Sequence, residues 1–204
     1  MKPLVQGMVD IGAIVFNFAR VKRVTLADDG KTLESDTDHT VMLSIAACAL
    51  AEQMYPDLDR GKIAQYAIVH DLVEAYAGDT DTFGITDEGR KAKEEREHQA
   101  YLRIKREFEH VFPWIPETIS AYESLDTKEA RFVKTVDKCM SKITHILNAG
   151  VYFKERYMSA ETIRHDYRLM ADRARISYGK EFPELLTLMD DMIDQAIEST
   201  YGNI

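Results

Sequence analysis

The 204-residue chain predicts an all-α fold in a single domain, a helical bundle with one core, and three observations carry that expectation. Apolar residues return at steps of three and four along most of the chain, whereas alternating runs of strand type are scarce. Gly (10) and Pro (5) are few and fall mainly between the periodic segments. With 45% apolar residues and no compositional linker, the chain has the means to bury a substantial core without dividing into domains.

The elements follow in order. A first helix over about 4–22 carries "IGAIVFNFA", too short for a membrane span and without the charged front and cleavage site of a signal peptide, so it reads as core-facing. The turn formers of "LADDGKTLESD" lead to an N-cap at Asp36 or Thr37 and a second helix with His39 in its first turn. A third helix over about 59–77 holds His70, Asp71 and Glu74 and ends at Gly78, a glycine C-cap. A loop over about 80–88 precedes "DEGRKAKEEREHQAYLRIKREFEHVF", whose dense mixed charge marks a long exposed helix, a scaffold or a partner face. Pro113 and Pro116 separate it from a shorter helix ending near Tyr122. Thr127 caps the next helix, which runs to about 149, and two more over about 160–178 and 182–200 close the chain.

A net charge of −9 argues against capture of polymeric nucleic acid or an anionic membrane surface, leaving a local basic pocket for a small anion. Cys48 and Cys139 lack the density and spacing of a disulfide framework, which points to a reducing, cytoplasmic setting.

Chemistry concentrates in "AIVHDLVEAYAGDT". A carboxylate in an apolar helical run must be paired or metal-bound, and helical spacing puts Glu74 on the face of His70 and Asp71, with Asp79 just past the helix end. Asp137 lies beside Val136 in the buried stripe of a later helix; alone it reads as the ion-pair partner of Lys134 or Lys138. His39 alone reads as a capping or satisfied core group. Together, His39, His70, Asp71 and Asp137 supply two imidazoles and two carboxylates from three helices, a donor set suited to a borderline divalent metal. Such a site leaves positions for water and a substrate oxygen, as phosphate-ester hydrolysis requires.

Three ordered stretches then resemble a known family: "ESDTDH" at 34–39, "HDLVEAYAGDT" at 70–80 and "YESLDTKEARFVKTVDK" at 122–138. They are similar to the HD-domain metal-dependent phosphohydrolases, and among them to the small 5'-deoxynucleotidases of bacterial type and their eukaryotic relatives. The resemblance spans 34–138 and does not touch the last two helices. It implies an HD-type helical bundle with one divalent metal ion (Mn, Co, Fe, Zn or Mg) held by His39, His70, Asp71 and Asp137. It further implies that Glu74 and Asp79 handle protons and orientation, and that Arg23, or Arg20 in the other register, holds the phosphate. The implied reaction is hydrolysis of a deoxynucleoside 5'-monophosphate, with deoxynucleoside triphosphohydrolysis as the alternative and a non-catalytic nucleotide-binding module as a third reading. The implied assembly is a homo-oligomer, a dimer or higher. The family places an aromatic residue closely after its phosphate-binding Arg. Here Val21 and Val24 stand there, and Trp114 is distant.

Overall fold

The computed structural model describes residues 2–81 and 85–202, and its architecture is helical, as the periodicity predicts. Its elements are α1 (Lys2–Arg20), β1 (Lys22–Leu26), β2 (Leu33–Ser35), α2 (Asp36–Met54), α3 (Arg60–Val69), α4 (Glu74–Ala77) and α5 (Asp87–Phe108), followed by α6 (Trp114–Glu123), α7 (Lys128–Leu147), α8 (Val151–Glu155), α9 (Ala160–Tyr178) and α10 (Pro183–Tyr201). Of the loop expected over 80–88, residues 82–84 lie outside the described residues.

Three differences from the sequence reading matter for the site. The turn-rich stretch after α1 forms an antiparallel hairpin, β1 on β2, with Lys22 opposite Ser35 and Leu26 opposite Leu33; its strands are too short for alternation to register. The N-cap of α2 is Ser35, not Asp36 or Thr37. Its hydroxyl accepts from the Asp38 N–H at 3.1 Å while Asp38 Oδ2 accepts from the Ser35 N–H at 3.3 Å, a capping box that moves the helix start one residue earlier. The expected helix over 59–77 is interrupted: α3 ends at Val69, residues 70–73 form tight turns, and α4 resumes at Glu74. Gly78, at φ 73, closes α4 in a backbone region that L side chains rarely adopt.

Two apolar cores share the molecule. The larger joins α2, α3, α7, α9 and α10 around Leu43, Ile63, Phe132, Val136, Tyr167 and Met189. The smaller packs Ile14 of α1 against Val69, Val73, Ile104, Phe108 and Ile119. The interrupted segment therefore runs along the seam between them. At the far end of α7, Asn148 ties the hairpin down, its Nδ2 donating to the carbonyls of Leu26 and Ala27 at 2.9 and 3.1 Å. Gly150 then reverses the chain at φ 65, where an added Cβ would meet Thr200 Oγ1 at 2.1 Å.

One core residue is out of character. Lys142 is wholly buried; its ammonium donates to Lys138 O at 2.6 Å and stands 4.4 Å from the Tyr167 ring centre, but it forms no ion pair among the described residues. Burial pushes its pKa down to about 8. Between that value and the ordinary lysine range the unfolded chain binds more protons than the folded one, so stability rises with pH across about 8 to 10.5. Lys142→Met is expected to abolish that rise in urea unfolding and to stabilise the protein at pH 7 by on the order of 2–3 kcal/mol. A variant less stable than the parent at pH 7 would contradict this account.

Candidate metal centre and active site

The interruption after α3 builds the site. Leu72 N–H donates to Val69 O at 3.1 Å and Glu74 N–H to Asp71 O at 2.8 Å, the three-residue spacing of a tight turn. His70 Nδ1 lies 2.8 Å from Ala67 O, the carbonyl that a continuing helix would give to the Asp71 N–H. At three residues per turn, side chains three apart eclipse, so Glu74 stays in line with Asp71 while His70, four residues before it, turns off that line.

The structure brings His39, His70, Asp71 and Asp137 together from α2, the turn after α3, and α7. One ligand atom each of His39, His70 and Asp137 lies within 4.8 Å of the others. His39 Nε2 is 3.1 Å from Asp137 Oδ1. Asp71 Oδ2 is 2.9 Å from His70 Nε2 and 3.9 Å from His39 Nε2, so it touches both rings. These residues fit a divalent cation. Bonding of His70 Nδ1–H to a backbone carbonyl leaves Nε2 as the lone-pair nitrogen, and that atom is buried with no properly directed hydrogen bond despite the nearby Asp71 oxygen. Two donors each about 2.1 Å from one ion lie about 3–4 Å apart, a separation this cluster reaches with slight closure.

A second trio, Asp36, Glu74 and Asp79, adjoins the first, again with one oxygen each within 4.8 Å. Asp36 Oδ2 and Glu74 Oε2 are buried without partners. Burial, with Asp71 as a further negative neighbour, pushes Glu74 up to about 9; burial also lifts Asp36 to about 6 and raises Asp79. Burial would raise Asp137 and Asp71 likewise, but Lys138 and His39 hold Asp137 well below the usual range, and His70 does the same for Asp71. Lys138 donates to Asp137 Oδ2 at 2.9 Å, and Lys93 of α5 to Glu74 Oε1 at 3.1 Å.

Of the two arginines weighed for phosphate, the hairpin carries Arg23 to the cluster. Its Nη1 donates to Asp36 Oδ1 at 3.4 Å and Asp71 Oδ2 at 3.2 Å, and its Nε is buried without an acceptor. Arg20, the last residue of α1, is exposed, donates to Asn17 Oδ1 at 3.2 Å and lines no described cavity, because the chain enters β1 only after it. Two cavities open on the cluster. One of about 130 Å³ is lined by Arg23, His39, Asp79, Asp137 and Lys138 and runs on toward α8 and α9; the other, of about 410 Å³, is lined by His70, Asp71, Lys93, Glu123 and Lys134. Lys138 and Lys134 thus face different cavities, and Trp114 borders neither.

Sequence reasoning missed Lys93, Glu34 and the full role of Asp36. Lys93 pairs with Glu97 one turn on, which reads as a solvated helix pair. Glu34, 4% exposed with Oε1 3.8 Å from His39 Nδ1, sat inside a quoted motif but in a stretch read as a turn. The buried capping motif of α2 was the available signal for both acids.

Comparison with known proteins agrees with this architecture. The family model described as HD domain matches residues 18–174. The chain belongs to the HD-domain family. The match extends past the 34–138 motifs on both sides, taking in the hairpin and most of α9. The chain is 32% identical over 111 residues to a 5'-deoxynucleotidase of Saccharomyces cerevisiae, covering 53% of this chain and 45% of that one. It is 26% identical over 161 residues to a human 5'-deoxynucleotidase, covering 78% and 71%. The chain thus spans about half the length of the yeast relative. Its fold is similar to that of a predicted metal-dependent phosphohydrolase from Magnetospirillum magnetotacticum, with a TM-score of 0.76 at 22% identity over 98% of both chains.

The arginine register has a test in the metal-free protein. Without Arg23, the carboxylates it faces lose a cation, their folded-state pKa values rise, and the folded chain binds more protons than the unfolded above about pH 4. Stability then falls as pH rises. Arg23→Met should cost about 2 kcal/mol or more at pH 8 and less at pH 5 in urea unfolding with chelator present, whereas Arg20→Met should stay within about 0.5 kcal/mol. Equal effects of the two variants would rule out this placement.

Proposed function

We propose that this protein is a divalent-metal-dependent phosphohydrolase that cleaves deoxynucleoside 5'-monophosphates to deoxynucleoside and phosphate, with His39, His70, Asp71 and Asp137 as the metal ligands. The observation that carries this reading is the convergence of two buried imidazoles and two carboxylates beside a half-buried arginine whose Nε–H has no hydrogen-bond partner. The 5'-deoxynucleotidase names of the yeast and human relatives support the substrate class.

A bound divalent cation would supply Lewis-acid charge stabilisation and a more acidic water. This chain's residues do the rest. Arg23 binds the phosphoryl oxygens and offsets their charge in a partly desolvated site, where a guanidinium fork suits phosphate geometry. As water oxygen bonds to phosphorus, the bond from phosphorus to the 5' oxygen breaks and that oxygen takes a proton. Glu74, which burial and like charges push toward the protonated form, would give it. Asp79, at the cavity edge just after Gly78, orients the sugar or accepts the water's proton.

Monophosphate is favoured over triphosphate by charge. Among the described residues, the cavity beside Arg23 offers only that residue and Lys138 as cations, both already facing carboxylates, too little for the several negative charges of a triphosphate. Self-association is proposed through α1, whose Leu4, Val5, Met8, Val9 and Phe16 are each more than half exposed and share one apolar stripe. No described helix is long and apolar enough to cross a membrane, and the two cysteines are free, consistent with the cytoplasmic reading. We take residues 1–204 as one functional unit.

Elemental analysis should find about one Mn or Co ion per chain after loading, lost in His70→Ala and Asp137→Ala together with turnover, while the helical signal survives. Glu74→Gln should keep the metal and lose about 10²-fold or more in kcat. Full activity in either ligand variant would sink the assignment. Release of tripolyphosphate in a screen of mono- and triphosphates would favour the triphosphohydrolase, and nucleotide binding without product across several metals the non-catalytic module. Val9→Glu with Phe16→Glu should yield a monomer by light scattering.

A further inference from the structure

The cavity that holds Arg23 and Asp137 at one end is walled at the other by His145 of α7, Tyr152 and Phe153 of α8, and Tyr167 and Met170 of α9. No motif marks this end. The aromatic rings pack closely: His145 lies 4.2 Å from Phe153 between ring centres and is stacked on Tyr152 at 6.1 Å and 29°. A core made only of apolar contacts would explain the rings, but not the histidine.

His145 is 4% exposed, and its Nε2 is buried with no hydrogen-bond partner. Its other nitrogen, Nδ1, meets the Tyr167 hydroxyl. Burial keeps that phenol protonated. Where Tyr167 O–H donates to His145 Nδ1, the imidazole proton lies on Nε2. Burial and the nearby Lys142 ammonium push the His145 pKa down to about 3, so the ring stays neutral. One ring nitrogen is therefore left unsatisfied in a residue that lines the cavity, a costly arrangement for a purely structural group.

We propose that this end of the cavity is a nucleobase subsite, in which the aromatic wall packs the base and His145 Nε2–H donates to a carbonyl oxygen or ring nitrogen on its edge. The inference rests on the nucleotide reading of the adjoining site and places the base against α8 and α9. Every nucleobase presents such an acceptor, so the subsite anchors a base without choosing strongly among the four.

The test compares deoxynucleoside 5'-monophosphates with 2-deoxyribose 5-phosphate, which lacks the base, on the metal-loaded enzyme. In His145→Phe the KM for all four nucleotides should rise about tenfold, while kcat/KM for the sugar phosphate stays at the parent value; His145→Gln, which restores an N–H donor, should recover part of the loss. An unchanged nucleotide KM, or an equal loss on both substrates, overturns the subsite. Met170→Phe on the same wall provides a second blocking variant should His145→Phe fail to fold. Calorimetric titration with deoxythymidine, which carries no phosphate, reads the subsite without turnover. Binding to the parent and its loss in the variant are expected, and no binding to the parent overturns the proposal. Nucleoside binding by a protein that hydrolyses neither phosphate would instead overturn the proposed reaction alone.

Discussion

The constraint on which the rest depends is the desolvation of negative charge. Glu34, Asp36, Asp71, Glu74, Asp79 and Asp137 crowd one interior region, and Arg23, Lys93 and Lys138 are the fixed cations that face them. Carboxylates removed from water are tolerated only when paired, protonated or metal-bound. The protein divides the problem. The oxygens of Asp71 and Asp137 stay ionised against imidazoles and Lys138, while the trio of Asp36, Glu74 and Asp79 is pushed toward the protonated state. Pairs of acids driven apart in pKa by their surroundings are the usual mark of divided roles in catalysis.

Holding those charges in place requires rigid support from several directions, and the two cores provide it. Val69 and Val73 anchor the interrupted segment in the smaller core while Tyr66 and Ala67 fix its approach in the larger one. The tight turn between them sets Glu74 in line with Asp71 and off the line of His70. The hairpin carries Arg23 over the cluster, and Asn148, some hundred residues later, clamps the hairpin to the end of α7. The same helix supplies Asp137, Lys138, Lys142 and His145, so the charge of the proposed metal end and the hydrogen bonding of the proposed base end are set by one element.

That shared helix also gives the family match a physical meaning. The matched region reaches residue 174, well past the three motifs, because α8 and α9 wall the cavity as well as cover the larger core.

The sequence by itself determined the helical class, most helix boundaries, the Thr127 cap, the HD pair and the candidate ligands His39, His70, Asp71 and Asp137. Each of these is written in local periodicity, capping chemistry or motif spacing, which act over a few residues. It did not determine the break after Val69, because a three-residue turn and a regular helix share the same apolar pattern over so short a span, or the hairpin, whose strands are too brief to alternate visibly. Nor did it reveal that Lys93, read as half of a surface pair with Glu97, turns its ammonium toward Glu74, or that Arg23 rather than Arg20 meets the carboxylates. Those outcomes belong to the tertiary structure. The choice of partner for a buried charge, or for the unpaired Nε2 of His145, is settled by which distant helices converge, and convergence over tens of residues leaves no local trace.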